Sequence, residues 1–222
     1  MKRVLAIGFF LLMVLSRPIF AQQTYKPPEV ASASDVYVPY QVVVDGLFVL
    51  DVSLDADGTI RTMEALKDPG AMIGASKTSV RGWKFRAASQ DGKAAPSRTT
   101  VSFLYRPPNY ANLGVPPKGF SPVLPSEQSD SARGNYVPVG ILSFAYPEYP
   151  VNSVVSGSVV VQLTIDGAGD VKGVEFLHSM ENFNKFVSVA LKQWRFQAAT
   201  FNRKPITSKT VIAFAFQPPH SG

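Results

Sequence analysis

The chain offers few side chains that could carry out acid–base or nucleophilic chemistry. Its 222 residues include 2 histidines and no cysteine. His178 follows a predicted strand with Glu181 nearby, and His220 lies close to the C-terminus. Neither histidine belongs to a pattern such as Gly-x-Ser-x-Gly or His-Glu-x-x-His, in which a nucleophile or a metal is placed beside its base. We therefore expect no catalytic residue, and a binding protein rather than an enzyme.

Acidic and glycine-rich runs in the chain are typical of turns rather than of ligand sites. A calcium loop needs six or more oxygen ligands, which is more than Asp55-Ala-Asp57-Gly58 supplies. The spacing of Gly167, Gly169 and Gly173 does not match a dinucleotide-binding loop, and a strand rather than a helix is predicted to follow. Without cysteine there is no thiolate metal site. The sequence therefore predicts neither a metal nor a cofactor.

The N-terminus has the pattern of a secretory signal peptide. Lys2 and Arg3 precede the apolar run 4–15, and a small residue, Ala21, stands at the expected cleavage site. The run is shorter than the roughly 20 apolar residues that a membrane-spanning helix requires. We therefore expect cleavage after Ala21 and export to the periplasm, with a mature chain beginning at Gln22. The alternative is an uncleaved inner-membrane anchor with the remainder facing the periplasm.

The charge of the chain does not favour nucleic acid as a partner. The formal net charge is +6, and removal of Lys2, Arg3 and Arg17 with the signal peptide leaves +6 − 3 = +3. Such a mild excess in an exported protein gives no reason to expect nucleic-acid binding. A basic cluster in the C-terminal half is interpreted either as a solvated face or as a face for anionic envelope material. It comprises Lys192, Arg195, Arg203, Lys204 and Lys209.

An internal repeat is the most informative feature of the sequence. The run 46–58 resembles the run 157–169, so equivalent positions differ in number by 157 − 46 = 111. The same offset places the only two tryptophans, Trp83 and Trp194, at equivalent positions. Further matching pairs are Asp55 and Asp166, Glu64 and Glu175, Phe85 and Phe196, Lys93 and Lys204, and Phe103 and Phe214. The sequence therefore predicts two copies of one module.

The second copy gives the clearer pattern of secondary structure. Strands are predicted at 159–165, 171–177 and 211–216 from their β-branched and apolar residues. Between the second and third strands, apolar residues recur with helical spacing at Phe183, Phe186, Val187, Ala190, Leu191 and Trp194. Trp194 and Phe196 are therefore interpreted as core residues rather than as a pair that stacks on a ligand. The predicted order is ββαβ, an α+β module with a small antiparallel sheet packed on one helix.

The first copy repeats this order with weaker signals. Its helix is predicted from about Pro69 to Trp83, and it contains Gly74 and Gly82. Each glycine costs about 1 kcal/mol relative to alanine inside a helix, so this copy is expected to be degenerate and less stable. Its strands are predicted at 47–54, 60–66 and 100–105.

Proline-rich segments separate the predicted modules. The expected organisation is a signal peptide (1–21), a lead-in linker (22–34), module 1 (35–106), a proline-rich linker (107–138), module 2 (139–218) and a tail (219–222).

The second copy resembles the C-terminal domain of TonB, the energy transducer of Gram-negative envelopes. The resemblance extends over most of this copy and rests on Tyr146-Pro-Glu-Tyr-Pro150, Trp194-Arg-Phe196, Ala198-Ala199, Lys204-Pro205-Ile206 and Phe214-Ala-Phe216. The first copy keeps parts of the same pattern, at Gly58, Trp83-Lys-Phe85 and Ala87-Ala88.

The resemblance implies a periplasmic location and a way of binding. Family members add a short extended segment of an outer-membrane protein to the edge of their last strand, a mode called β-augmentation. The equivalent in the first copy would be 99–106. In the second copy the implied partner-binding edge strand comprises Thr210, Val211, Ile212, Ala213, Phe214, Ala215, Phe216 and Gln217.

Three functions follow from these patterns. The first is a periplasmic adaptor that binds extended peptide segments of envelope or outer-membrane proteins. The second is a scaffold that self-associates, in which the modules pair with each other or with another chain through the same edges. The third is an anchored energy transducer, which requires an uncleaved N-terminus. The chain departs from a transducer in its short apolar N-terminal run, its short spacer and its two modules.

Overall fold

The fold was analysed in a computed structural model, which describes residues 24–38, 45–67, 70, 72–106, 119–127, 135–149 and 155–217. The predicted signal peptide, most of the proline-rich linker, His220 and the tail lie outside these residues. None of the described helices is long and apolar enough to cross a membrane.

Both halves of the chain contain the same order of elements. The first half forms β1 (Tyr25–Lys26), β2 (Glu29–Ser32), β3 (Gly46–Leu54), β4 (Ile60–Lys67), α1 (Ile73–Arg81), β5 (Lys84–Arg86), β6 (Ala88–Gln90), β7 (Lys93–Ala95) and β8 (Ser97–Arg106). The second half forms β9 (Tyr136–Val137), β10 (Gly140–Ser143), β11 (Gly157–Ile165), β12 (Val171–His178), α2 (Glu181–Leu191), β13 (Arg195–Gln197), β14 (Ala199–Phe201), β15 (Lys204–Ile206) and β16 (Ser208–Phe216). The α+β class with two helices is confirmed.

A glycine in each hairpin turn allows close contact with the segment that follows the helix. Gly169 has a φ of +89°, and a Cβ there would lie 2.4 Å from the carbonyl oxygen of Phe196. Gly58 has a φ of +88° and would meet Phe85 at the same distance. Only glycine combines a left-handed backbone with the absence of a Cβ. The glycine therefore does more than form the turn, since it lets the hairpin pack on the chain after the helix.

Helix α2 packs on the sheet through the apolar stripe expected from the sequence. Phe183, Val187, Ala190 and Leu191 are buried. Trp194 follows the helix, is buried, and donates its indole N–H to the carbonyl of Ala145 at 3.0 Å. Its assignment to the core is confirmed. Helix α1 is shorter and buries a smaller set of side chains, Ala75, Ser76, Ser79 and Val80.

The long strands of both halves form one six-stranded sheet in the order β12-β11-β16-β8-β3-β4. Adjacent strands are antiparallel except for the central pair, β16 and β8, which run parallel. The expectation of a separate small sheet in each module is therefore wrong for the long strands. Nearly all residues of β8 and β16 are buried, which is the pattern of strands that lie inside a sheet and are covered on both faces.

The two helices lie on opposite faces of this sheet. Helix α2 packs with Val161 and Leu163 in one core cluster. Helix α1 packs in a second cluster, which contains Val52 from its own half and Val211 from the other half. We call the two surfaces of the sheet the α2 face and the α1 face. Each core therefore includes side chains from both halves of the chain.

On the α1 face, an N-terminal strap of residues 29–36 covers the strands of the second half. The backbone N–H of Val30 donates to Gln162 Oε1 at 2.8 Å, and the N–H of Val36 donates to Ser158 Oγ at 2.9 Å. At the same time β2, within the strap, pairs with β5 of the first half. The predicted lead-in linker is thus folded from residue 25 onward, and it joins the two halves.

On the α2 face, residues between the halves cover the strands of the first half. Thr100 donates its hydroxyl to the carbonyl of Val139 at 3.0 Å. Arg98 donates to the carbonyl of Ser126 at 2.7 Å. Part of the predicted proline-rich linker is therefore packed on the sheet. The strap, which precedes the long strands of the first half, covers the second half, and the segment that precedes the long strands of the second half covers the first half.

Candidate functional site

The strand implied as the partner-binding edge lies in the middle of the sheet. β16 pairs with β11 from Ser208 to Phe216 and, on its other side, with β8 from Val211 to Phe216. The expectation that this strand is an edge is therefore wrong, because its counterpart in the first half occupies the position that a partner would take. All eight residues that were implied to bind a partner are buried: Thr210, Val211, Ile212, Ala213, Phe214, Ala215, Phe216 and Gln217.

Side chains and backbone both hold this central pairing together. The hydroxyls of Thr100 and Thr210 lie 3.1 Å apart, in hydrogen-bond contact. The N–H of Gln217 donates to the carbonyl of Arg106 at 3.1 Å. Ala213 belongs to the core under α1, so separating the strands would expose that core to water. Exposing β16 to a partner would therefore disrupt most of the fold.

The outermost strands of the six-stranded sheet are β12 at one side and β4 at the other. Within the described part of the chain, no strand pairs with the outer side of either one. An outermost strand presents backbone N–H and C=O groups that can pair with an added strand. The structure therefore moves the candidate peptide-binding edge from β16 to β4 or β12.

Strand β12 presents an apolar row to solvent, which we call the β12 row. Val171, Val174 and Phe176 are 36%, 44% and 38% exposed. Their cross-strand partners on β11 are Ile165, Leu163 and Val161, which are buried in the core under α2. Residues directly opposite each other in a sheet lie on the same face, so the β12 row lies on the α2 face. The side chains on the same face of a strand added to β12 would pack beside this row.

Strand β4 is the less apolar of the two edges. Ile60 and Met63 occupy the positions equivalent to Val171 and Val174, but they pack against the core under α1. Exposed Ala65 stands where β12 has Phe176. Arg61 and Lys67 add charge to the strand. Strand β12 carries charge as well, with Lys172 at the position equivalent to Arg61, so the exposed apolar row is what makes β12 the stronger candidate.

The opposite side of β12 carries a polar network that reaches the N-terminal strap. Glu175 accepts a hydrogen bond from Gln162 Nε2 at 3.1 Å and lies 4.0 Å from Lys209 Nζ. Lys209 and Arg86 both form ion pairs with Glu29 of the strap. Burial raises the pKa of Glu29, but hydrogen bonds and charge from Lys209 and Arg86 outweigh it, so the pKa lies below the ordinary value of 4.5.

This network predicts a stability that depends on pH. Because the pKa of Glu29 is lower in the folded chain, its contribution is present above the unfolded pKa and is lost as the pH falls through the folded pKa. Glu29→Gln should therefore cost about 1–2 kcal/mol of unfolding free energy near pH 7. The difference in unfolding free energy between Glu29→Gln and the wild type should become smaller below about pH 4.5, the ordinary pKa of a glutamate carboxyl. Urea unfolding at several pH values measures this difference.

A matched control for this prediction is Glu64→Gln, at an exposed position of β4. It should change the unfolding free energy by less than about 0.5 kcal/mol at every pH. A gap between wild type and Glu29→Gln that stays constant with pH would contradict the assignment of the strap's stabilisation to the charged carboxylate.

His178 lies at the end of β12, where its Nε2 is 3.8 Å from Asp35 Oδ1 of the strap. Its predicted neighbour Glu181 begins α2. Among the residues that the structure describes, no three histidine, aspartate or glutamate side chains are grouped closely enough to hold a metal ion. His178 therefore belongs to the contact between the strap and β12 rather than to a cluster of ligands.

The structure thus places the strap, β11 and β12 of the second half around one exposed edge, next to α2. A family model described as the Gram-negative bacterial TonB protein C-terminal matches residues 143–218, which contain all of these second-half elements. Residues 143–218 are therefore similar to the C-terminal domain of TonB. The TonB C-terminal domain is a non-catalytic domain of the Gram-negative envelope, and the resemblance seen in the sequence is confirmed for this part of the chain. No curated protein and no solved structure matches the chain.

The residues of the β12 row were not singled out from the sequence. Val171 to Leu177 was correctly predicted as the second strand of a hairpin. The available signal was the presence of Val174 and Phe176 two positions apart, which places both on one face of a strand. Which face of an outer strand remains uncovered depends on the position of α2, and that information is not local.

Proposed function

We propose that this protein is a non-catalytic adaptor of the Gram-negative periplasm that binds extended segments of envelope proteins along β12. The match to the TonB C-terminal domain supports an envelope location and a protein as partner. The observation that carries the proposal is the β12 row, since Val171, Val174 and Phe176 are exposed on an outermost strand of the sheet. An added strand gains backbone hydrogen bonds and buries apolar surface at the same place.

We further propose that residues 25–106 are a second, diverged module of the same type. The order of elements is the same in both halves, and the offset of 111 in residue number carries Tyr25 onto Tyr136 and Trp83 onto Trp194. In this view the pairing of β8 with β16 replaces the binding of a partner by the last strand. The scaffold alternative had two versions, in which the modules pair with each other or with a second chain. The pairing of β8 with β16 within one chain favours the first version over the second.

A photo-crosslinking experiment in cells tests the adaptor proposal. Benzoylphenylalanine placed at Val174 should crosslink to an envelope protein, because a docked strand would lie directly against that side chain. The matched control is Met63, which occupies the equivalent position on β4, 63 + 111 = 174. Phe103, buried in the centre of the sheet, serves as a second control.

The expected result is a discrete higher-mass band from position 174 and none from positions 63 and 103. No band at 174, in protein that is folded and present in the envelope, would sink the proposal. Bands of equal strength from positions 63 and 174 would show that the partner does not prefer β12 to β4.

The mass of the protein purified from the envelope tests its placement. Loss of residues 1–21 would support a periplasmic adaptor. An intact N-terminus recovered with the inner membrane would instead support an anchored, transducer-like protein, because energy transduction requires a tether.

A further inference from the structure

The surroundings of β12 are acidic, although the chain as a whole is basic, with a net charge of +6. Glu175 lies on the strand, and its side chain is 62% exposed. In the turn before the strand, Asp166 and Asp170 share Lys172, at 3.0 Å and 3.7 Å. At the other end, Asp35 of the strap lies beside His178. Carboxylates therefore outnumber the ammonium of Lys172 along this edge.

Lys209 offsets this charge only in part, because its Nζ lies 2.5 Å from Glu29 of the strap and 4.0 Å from Glu175. The two faces of β12 therefore differ in chemistry. The α2 face carries the apolar β12 row, and the α1 face carries the carboxylate of Glu175 between Val174 and Phe176. A strand that docks on β12 meets both faces in alternation, since successive side chains of a strand point to opposite faces.

We propose that the partner segment of β12 alternates apolar side chains with lysine or arginine. This inference rests on the proposed function and specifies the partner that it would select. Apolar side chains of the segment lie beside Val174 and Phe176, and the intervening basic side chain lies beside Glu175. Opposite charges directly across from each other stabilise a strand pair, and like charges destabilise it.

The same charges disfavour a second copy of this chain as the occupant. Two β12 strands side by side would bring together two acidic edges, each with Glu175 and the Asp166–Asp170 turn. Because Lys172 of each strand is already paired with Asp166, such an association gains little from its polar face. A basic segment of another protein complements the edge on both faces.

Three capped eight-residue peptides test the inference, in which valine alternates with lysine, with threonine or with glutamate. Binding is followed by amide chemical shifts of the isotopically labelled protein purified from the envelope, at low ionic strength. The lysine peptide should shift the resonances of β12 and bind about tenfold more tightly than the glutamate peptide, with the threonine peptide between them. The preference should weaken as salt is added.

The charge reversal Glu175→Lys should invert the order of the lysine and glutamate peptides. The matched control is Glu64→Lys on β4, at the equivalent position, 64 + 111 = 175, which should leave the order unchanged. Both positions are exposed, but Glu175→Lys also removes the hydrogen bond from Gln162, so the amide spectrum of each free variant is first compared with that of the wild type to show that its fold is intact.

The outcomes separate this inference from the proposed function. If crosslinks form at position 174 but the three peptides bind β12 equally, or Glu175→Lys leaves their order unchanged, the basic partner is refuted and the adaptor function stands. If no peptide shifts the amide resonances of β12 and position 174 gives no crosslink, both the adaptor function and the basic partner segment are refuted. Tighter binding by the glutamate peptide to the wild-type protein also overturns the inference.

Discussion

Asp51→Ala is expected to lower the free energy of unfolding by about 3–5 kcal/mol, because it leaves a buried guanidinium without its counter-ion. Asp51 and Arg98 form an ion pair across β3 and β8 in which the side chains are 4% and 3% exposed. Arg98 Nε lies 3.2 Å from Asp51 Oδ1, and the same guanidinium donates to the carbonyl of Ser126. The pair therefore also fixes the segment that covers the α2 face of the first half.

The measurement is urea unfolding of the single variant and of the double variant Asp51→Leu/Arg98→Met. Replacing both members of a buried pair by apolar residues of similar size is often neutral or stabilising, so the double variant should recover most of the loss. An equal loss in both variants would show that the cost comes from packing rather than from an uncompensated charge.

Ala213→Arg is expected to unfold both halves of the protein together, at a cost above about 4 kcal/mol. Ala213 is fully buried in β16, between Val160 of β11 and Phe103 of β8. An arginine there would place a charge inside the core under α1, which contains side chains of both halves. The effect should therefore not remain confined to the second half.

The two tryptophans allow each half to be followed separately. In a Trp194→Phe background, the fluorescence of Trp83 reports on the first half, and in a Trp83→Phe background Trp194 reports on the second. Both probes should show one coincident transition, and Ala213→Arg should shift both equally. Ala65→Arg, the same substitution at an exposed alanine of β4, should shift neither by more than about 0.5 kcal/mol. Two separate midpoints would refute a single cooperative unit.

The sequence predicted those parts of the fold that depend on the spacing of residues close together in the chain. The hairpin glycines, the apolar stripe of α2 and the core position of Trp194 all follow from residue spacing, and the structure contains each of them. The TonB C-terminal resemblance was carried by the Trp194-Arg-Phe196 region and is confirmed over residues 143–218.

The position of β16 could not be read in the same way. An apolar strand such as Val211 to Phe216 has the same sequence pattern whether it awaits another chain or pairs within its own. The deciding contact is with β8 of the other half, as in the pairing of Val211 with Val101. The strap escaped prediction for a related reason, because Val30 and Gln162 are far apart in the sequence and form no local motif.

The long reach of the strap has a consequence for how the chain acquires its structure. Glu29 bonds to Lys209, so a segment that is synthesised early docks on a surface that is completed by one of the last strands. Until β16 has been made, the strap and the uncovered face of the sheet both expose apolar side chains and backbone groups that lack their final partners. Folding that depends on such distant contacts is slow and open to aggregation. Nascent chains should therefore depend on holding chaperones until residue 217 has been synthesised. A chain truncated after β15 should be degraded, because its first half should not fold alone.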